Sequence, residues 1–202
     1  MAYKLTAVTG GDAMTLDELR ARCDNCTKCG LCETRHHVVF GEGVPESRIM
    51  FIGEGPGENE DLQGRPFVGK AGQLLDDMLE IIGLDRHRNC YITNIVKCRP
   101  PQNRDPSEAE QRACKDWLDW QMDIIRPRIV VCLGRIAANR LIHADFRISM
   151  ERGRVYDKEG VRYMALYHPS ALLRDESKRP DTFVDLKALK ALINSESLFV
   201  RL

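Results

Sequence analysis

The sequence predicts an α/β fold, a three-layer α/β/α sandwich around a central, mostly parallel four-stranded sheet. Three observations lead there. Short apolar runs rich in β-branched residues alternate with longer segments whose apolar positions recur at helical spacing. Capping residues mark where several helical segments start and stop. The alternation implies βαβ units, hence a sheet covered on both faces.

In chain order, Thr15 caps a short helix, TLDELRARC, that delivers the chain to a cysteine cluster. Arg48 to Gly53 reads as a buried strand. GKAGQLLDDMLEIIG follows with helical spacing and stops at Gly83, a C-cap. CYITNIV is the second strand. SEAEQRACKDWLDWQMDII opens on the capping box of Ser107 and Glu110 and ends just before Pro127. RIVVCLG is the third strand, GRIAANRLI a short helix and RYMALYHP the fourth strand; DTFVDLKALKALI closes the fold as an amphipathic helix. Ligands of such sheets sit beyond the carboxyl ends of the strands. GEGPGENED after the first strand, Asn94 near the end of the second and HPSALLR after the fourth are therefore expected at one edge.

With 202 residues, the expectation is one domain over 1–202, with the N-terminal helix and cysteine segment at about 15–35 docked onto it. No repeat, low-complexity tract or linker interrupts it. Lys+Arg and Asp+Glu both number 30, so net charge selects no partner. The distribution is uneven, −5 over Met1–Asn89 and +6 over Arg126–Arg179, and a basic later half suits either a nucleic-acid face or a solvated surface. The absence of a signal-peptide pattern and of an apolar run of about 18 residues leads to the expectation of a cytoplasmic protein without a membrane span.

The eight cysteines then point to metal or redox chemistry rather than disulfides. Cys23, Cys26, Cys29 and Cys32 form a ladder, CDNCTKCGLC, while Cys98 and Cys114 frame a later loop. Cys90 and Cys132 fall in strands and read as small buried hydrophobes. Spacing alone leaves an iron–sulfur cluster and a zinc knuckle both open.

GEGPGENEDLQGRPFVGKAG packs six glycines and four carboxylates after the first strand. A glycine turn there usually cradles phosphate, but these carboxylates would repel one, and neither G-x-x-x-x-G-K-[ST] nor G-x-G-x-x-G is present. A nucleotide-binding module is thereby disfavoured.

Taken in order, C-x-x-C-x-L, GEGPGENED, GRPFVGKAG, NIVKCRPPQNR and HPSALLR resemble the family-4 uracil-DNA glycosylases, from about Cys26 to the last helix. The resemblance implies a uracil-DNA glycosylase-like fold, monofunctional hydrolysis of the N-glycosidic bond of uracil in DNA, and a role in base excision repair. It also implies a 4Fe-4S cluster on Cys26, Cys29, Cys98 and Cys114; the family pattern has no fixed need for Cys23 or Cys32. Glu54 would polarise the attacking water, since the aspartate of other branches falls at Gly55, and His168 would stabilise the leaving uracil. Gly55, Glu60, Phe67 and Asn94 would bind substrate, with Phe67 stacked on the base, Asn94 reading its edge and Asp61 in support. Ser170, Leu172 and Arg174 would contact DNA, with Leu172 as wedge, and Lys97, Arg99 and Arg104 would add backbone contacts, the alternative for Lys97 and Arg99 being to serve the cluster loop. Uracil-containing DNA is the expected partner and a monomer the expected state. An iron–sulfur electron carrier is disfavoured by the pocket motifs. A superfamily member that binds uracil-DNA without cutting it is the alternative. KCRPPQNRDPSE carries no histidine, which speaks against covalent trapping of the abasic sugar.

Overall fold

The structure, a computed structural model, describes residues 14–196. The four apolar runs become four parallel strands: β2 (Ile49–Gly53), β3 (Tyr91–Asn94), β4 (Ile129–Leu133) and β6 (Val161–Leu166). Two antiparallel edge strands extend them, β1 (Glu42–Gly43) and β5 (Val155–Lys158), giving the order β1-β3-β2-β4-β6-β5. The sheet therefore has six strands rather than four. Periodicity is silent on both additions. β1 has two residues, and β5, VYDK, is largely exposed and lacks an apolar face. It pairs with β6 through Glu159 and Gly160, both at positive φ, the conformation that two-residue hairpin turns favour.

Strand residues alternate between two cores. Met50, Ile52, Val130, Cys132, Tyr163 and Ala165 face one; Ile49, Phe51, Ile129, Val131, Met164 and Leu166 face the other. Against the first pack α1 (Leu16–Asp24), α4 (Glu108–Ile125) and α5 (Arg135–Leu141). Against the second pack α3 (Lys70–Ile81), α7 (Pro169–Arg174) and α8 (Arg179–Ser195). The result is three layers, and α1 shares its core with the sheet. Two short helices that apolar spacing cannot detect, α2 (Glu58–Gln63) and α6 (Ile148–Glu151), complete the set among the described residues.

The local signals work as expected. Thr15 accepts the Glu18 amide while Glu18 returns to the Thr15 N–H, and Ser107 and Glu110 repeat the same box. Gly83 ends α3 at φ +80, where Leu84 N donates to Leu79 O at 2.9 Å. Cys90 and Cys132 are fully buried in the core. No described helix is long and apolar enough to cross a membrane.

Candidate active site

Parallel strands bring their carboxyl ends to one edge, with Gly53 beside Asn94 and Leu133 beside Leu166. A cleft of about 470 Å³ opens there. Glu54 enters it from the end of β2, Asn94 from β3, Arg135 from the turn after β4 and His168 from the turn after β6. The three polar clusters separated in sequence do meet.

Asn94 and Phe67 line the cleft and pack side by side against Gly53. A Cβ at Gly53 would lie 2.4 Å from Asn94 Oδ1 and 2.6 Å from the Phe67 ring, so only glycine leaves room for both. Asn94 is 2 % exposed, and its Oδ1 has no hydrogen-bond partner. A buried acceptor left unpaired is costly by roughly 1–3 kcal/mol. Phe67 sits at φ +51, a strained conformation for an aromatic residue, costing about 1–3 kcal/mol. Its ring centroid lies 5.6 Å from that of His168.

His168 caps α7. Its Nδ1 accepts from the Ser170 backbone N–H at 3.2 Å and contacts Ser170 Oγ at 2.8 Å. A backbone N–H can only donate, so Nδ1 is unprotonated and the neutral ring carries its proton on Nε2. Burial, reinforced by the positive charge of Arg174, pushes the imidazole pKa down to about 4. Ser170 therefore has a definite place, as the group that fixes the tautomer.

Glu54 is half-buried, and its carboxyl is pushed up to about 7, first by burial and next by the negative charge of Asp105. Arg135 opposes this, and it also holds Asp105 in an ion pair at 2.7 Å. Neither Asp105 nor Arg135 stands out in the sequence. One lies in an exposed polar loop and the other is an ordinary first residue of a helix; only the sheet edge joins them. Glu60 lines the cleft as well, but its carboxylate is committed to the backbone. Its Oε1 accepts Val68 N at 2.8 Å and Gly69 N at 2.9 Å, and its Oε2 accepts Gly57 N at 3.1 Å. It braces GEGPG against GRPFVG. Gly55 also lines the cleft, although its missing side chain is explained by Val96, 2.8 Å from where a Cβ would stand.

Three expectations need correction. Leu172 is only 2 % exposed and packs in the core beneath α7, whereas Leu173, next to it, is 42 % exposed. As the helix turns, one leucine is committed to the core and the other to solvent. Lys97 is 1 % exposed and makes no DNA contact; its Nζ donates to Thr93 Oγ1 at 2.7 Å, Asn94 O at 2.8 Å and Gln121 Oε1 at 2.6 Å, and it lines the cysteine cavity, in keeping with the alternative of serving the cysteine loop. Asp61 is buried away from the cleft and bonds His36 Nδ1 at 2.6 Å. Arg174 is exposed at the cleft rim, and Arg104 lines the cleft while paired to Glu110. Arg99 pairs with Asn103 and Glu58.

A second, much smaller cavity of about 10 Å³ is lined by Cys26, Cys29, Cys98 and Cys114, together with Cys23 and Cys32. N–H groups converge on the sulfurs. Trp117 Nε1 donates to Cys26 Sγ at 3.2 Å, Arg35 Nη1 to Cys98 Sγ at 3.3 Å and Lys97 N to Cys114 Sγ at 3.3 Å. The Leu31 backbone hydrogen-bonds Cys29. No such bond reaches Cys23 or Cys32 among the described residues, where in addition no three His, Cys, Asp or Glu side chains are grouped to hold one metal ion.

Fold and cleft together define an α/β protein with a polar cleft, lined by an aromatic ring, at its strand ends. The profile of the uracil DNA glycosylase superfamily matches residues 40–192, and the chain belongs to that superfamily. Within it, the chain is 44 % identical over 186 residues to the Type-4 uracil-DNA glycosylase of Archaeoglobus fulgidus, covering 88 % of this chain and 93 % of that protein. The Type-4 uracil-DNA glycosylase of Thermotoga maritima is 43 % identical over 179 residues, 87 % of this chain and 93 % of its own. The Type-5 uracil-DNA glycosylase of Thermus thermophilus is 36 % identical over 151 residues, 65 % of this chain and 68 % of that protein.

Proposed function

We propose that the protein is a uracil-DNA glycosylase, hydrolysing the N-glycosidic bond of uracil in DNA to release uracil and leave an abasic site. The observation that carries this reading is the buried, unpartnered Oδ1 of Asn94 beside the Phe67 ring and His168. An asparagine amide offers one acceptor and one donor side by side, the complement of uracil N3–H and O4. The relatives named above share the reading, and nothing in the cleft favours a member that binds without cutting.

A base stacked in a duplex is out of reach, so the nucleotide is flipped into the cleft. Phe67 stacks on the ring and Asn94 reads its edge. As the bond from the sugar C1′ to N1 breaks, its electron pair passes to the base. The Nε2–H of His168 stabilises that charge at a uracil carbonyl oxygen. Glu54, ionised, orients a water whose oxygen bonds C1′ from the opposite face; the water's proton goes to the carboxylate, and the uracil anion takes one from solvent. Gly55 and Glu60 hold the turn that carries Glu54. Leu173, rather than Leu172, supplies the exposed apolar side chain at the gap left by the flipped base, and Arg174 a phosphate contact.

Cys26, Cys29, Cys98 and Cys114 are proposed to hold a 4Fe-4S cluster. Support comes from N–H bonds to those four sulfurs, the pattern expected of thiolates on a cluster. When bound, the cluster supplies a cross-link between the segment at about 15–35 and the loop after β3, within one domain over 1–202. A monomer acting on uracil-containing DNA inside the cell is the proposed working unit.

The test is direct. Purified protein is incubated with oligonucleotides carrying uracil opposite guanine, opposite adenine or in single strands, and abasic sites are cleaved with alkali. Strand breaks at the uracil position are expected; their absence under every pairing overturns the proposal.

A further inference from the structure

Phe67 occupies a left-handed backbone conformation that an aromatic residue leaves unless its surroundings hold it. The ring tip is boxed by Gly53, and the Phe67 carbonyl is met by α3, where a Cβ at Gly72 would stand 1.9 Å from the carbonyl oxygen. The third contact comes from Arg86, in the connection after α3. Arg86 is 5 % exposed, and its guanidinium donates from Nη1 to Pro66 O at 2.8 Å and from Nη2 to Phe67 O at 2.9 Å. Its Nε donates to Asp76 Oδ1 at 2.8 Å, which supplies the opposite charge.

We infer that Arg86 is a positioning residue for base recognition, clamping two successive carbonyls so that the Phe67 ring stays against Asn94 and His168. The inference rests on the cleft being the uracil pocket. Two N–H bonds from one planar, rigid cation fix the direction of both carbonyls at once, whereas a lysine on its flexible stem or a neutral amide holds them less strictly. Relaxing φ at Phe67 to negative values turns its carbonyl away from Arg86 and carries the ring away from Asn94. Arg86 does not line the cleft, and the cleft residue it bonds is Phe67, through the backbone carbonyl. Its effect on excision therefore has to pass through Phe67.

A double-mutant cycle separates this from simple structural support. Single-turnover uracil excision is measured for wild type, Arg86→Gln, Phe67→Ala and the double variant, with thermal melting recorded for each. Arg86→Gln should slow excision on the order of 10-fold while Phe67 is present, and less than about 2-fold once the ring is gone. Arg86→Lys keeps the pairing with Asp76 but loses the fork. It should show the same dependence on Phe67 with a smaller loss, and it carries the cycle if Arg86→Gln does not fold. Equal losses with and without the ring, or no loss with it, overturn the clamp. An inactive wild type overturns the uracil reading instead. The two failures are distinguishable, because loss of the clamp alone leaves the wild-type rate and the Phe67→Ala defect intact.

Discussion

The cleft at the strand ends and the cysteine cavity lie close in sequence, with Asn94 and Cys98 only four residues apart, yet they are held in opposite ways. Cleft residues are fixed by the polypeptide itself. Glu60 is held by three backbone N–H groups, His168 by Ser170, and the Phe67 carbonyl by Arg86. The cysteines come from the N-terminal segment, the loop after β3 and α4, which share a core of Leu19, Leu31 and Trp117 and the Lys28–Asp116 ion pair, while the sulfurs themselves are met by N–H groups. One site holds a buried acceptor, Asn94 Oδ1, with no partner from the protein; the other gathers six cysteines around a small cavity. Pre-organisation by protein suits chemistry, and assembly by an added group suits cross-linking.

The comparison breaks most severely at the cysteines. Cys98→Ala or Cys114→Ala should lose bound iron, its brown absorption and most soluble yield, whereas Cys132→Ala, Cys23→Ser and Cys32→Ser should keep iron. Stoichiometric zinc in protein purified without air, with no iron, would falsify the cluster. At the cleft the fold should survive while the chemistry fails. His168→Ala and Glu54→Gln should each lower single-turnover excision on the order of 10²-fold, about 3 kcal/mol, with binding to uracil-DNA retained. Equal loss of binding and rate for His168→Ala would make it a pocket-shaping residue.

Acidity sharpens the contrast. Burial and Asp105 raise Glu54 to about 7, so excision should climb as pH rises through about 7, while His168, held near 4, stays neutral throughout. The stability linked to protonated Glu54 runs the other way: it is complete below the unfolded value of 4.5 and fades as pH rises through about 7. Asp105→Asn removes the neighbouring negative charge and should move the acid limb of the rate profile to lower pH. An unmoved limb would show that Glu54 does not set it.

The two leucines of α7 give the smallest kinetic effect and the finest distinction. Leu173→Ala should slow excision from duplex a few-fold more than from single strands and leave melting unchanged. Leu172→Ala should instead destabilise the protein by about 2–5 kcal/mol as a buried large-to-small change. A duplex-selective defect in Leu172→Ala at unchanged stability would return the wedge to that position.

Local chemistry made most of the layout legible. Apolar runs marked the four parallel strands, and capping boxes at Thr15 and Ser107 marked two helix starts, because these signals act over a few residues. Asn94, Glu54 and His168 could be placed at one edge because a parallel sheet brings its strand ends together. β1 and β5 were not legible, since a very short or exposed edge strand carries no apolar period. Contacts between distant segments decided the rest. Lys97 reads as a surface charge until Thr93, Gln121 and the Asn94 carbonyl enclose it. Asp105 and Arg86 acquire roles only from Glu54 and Phe67, far from them in sequence. Leu172 and Leu173 are the same residue side by side, and no local rule separates them. Helical rotation against the sheet buries the first and leaves the second in solvent.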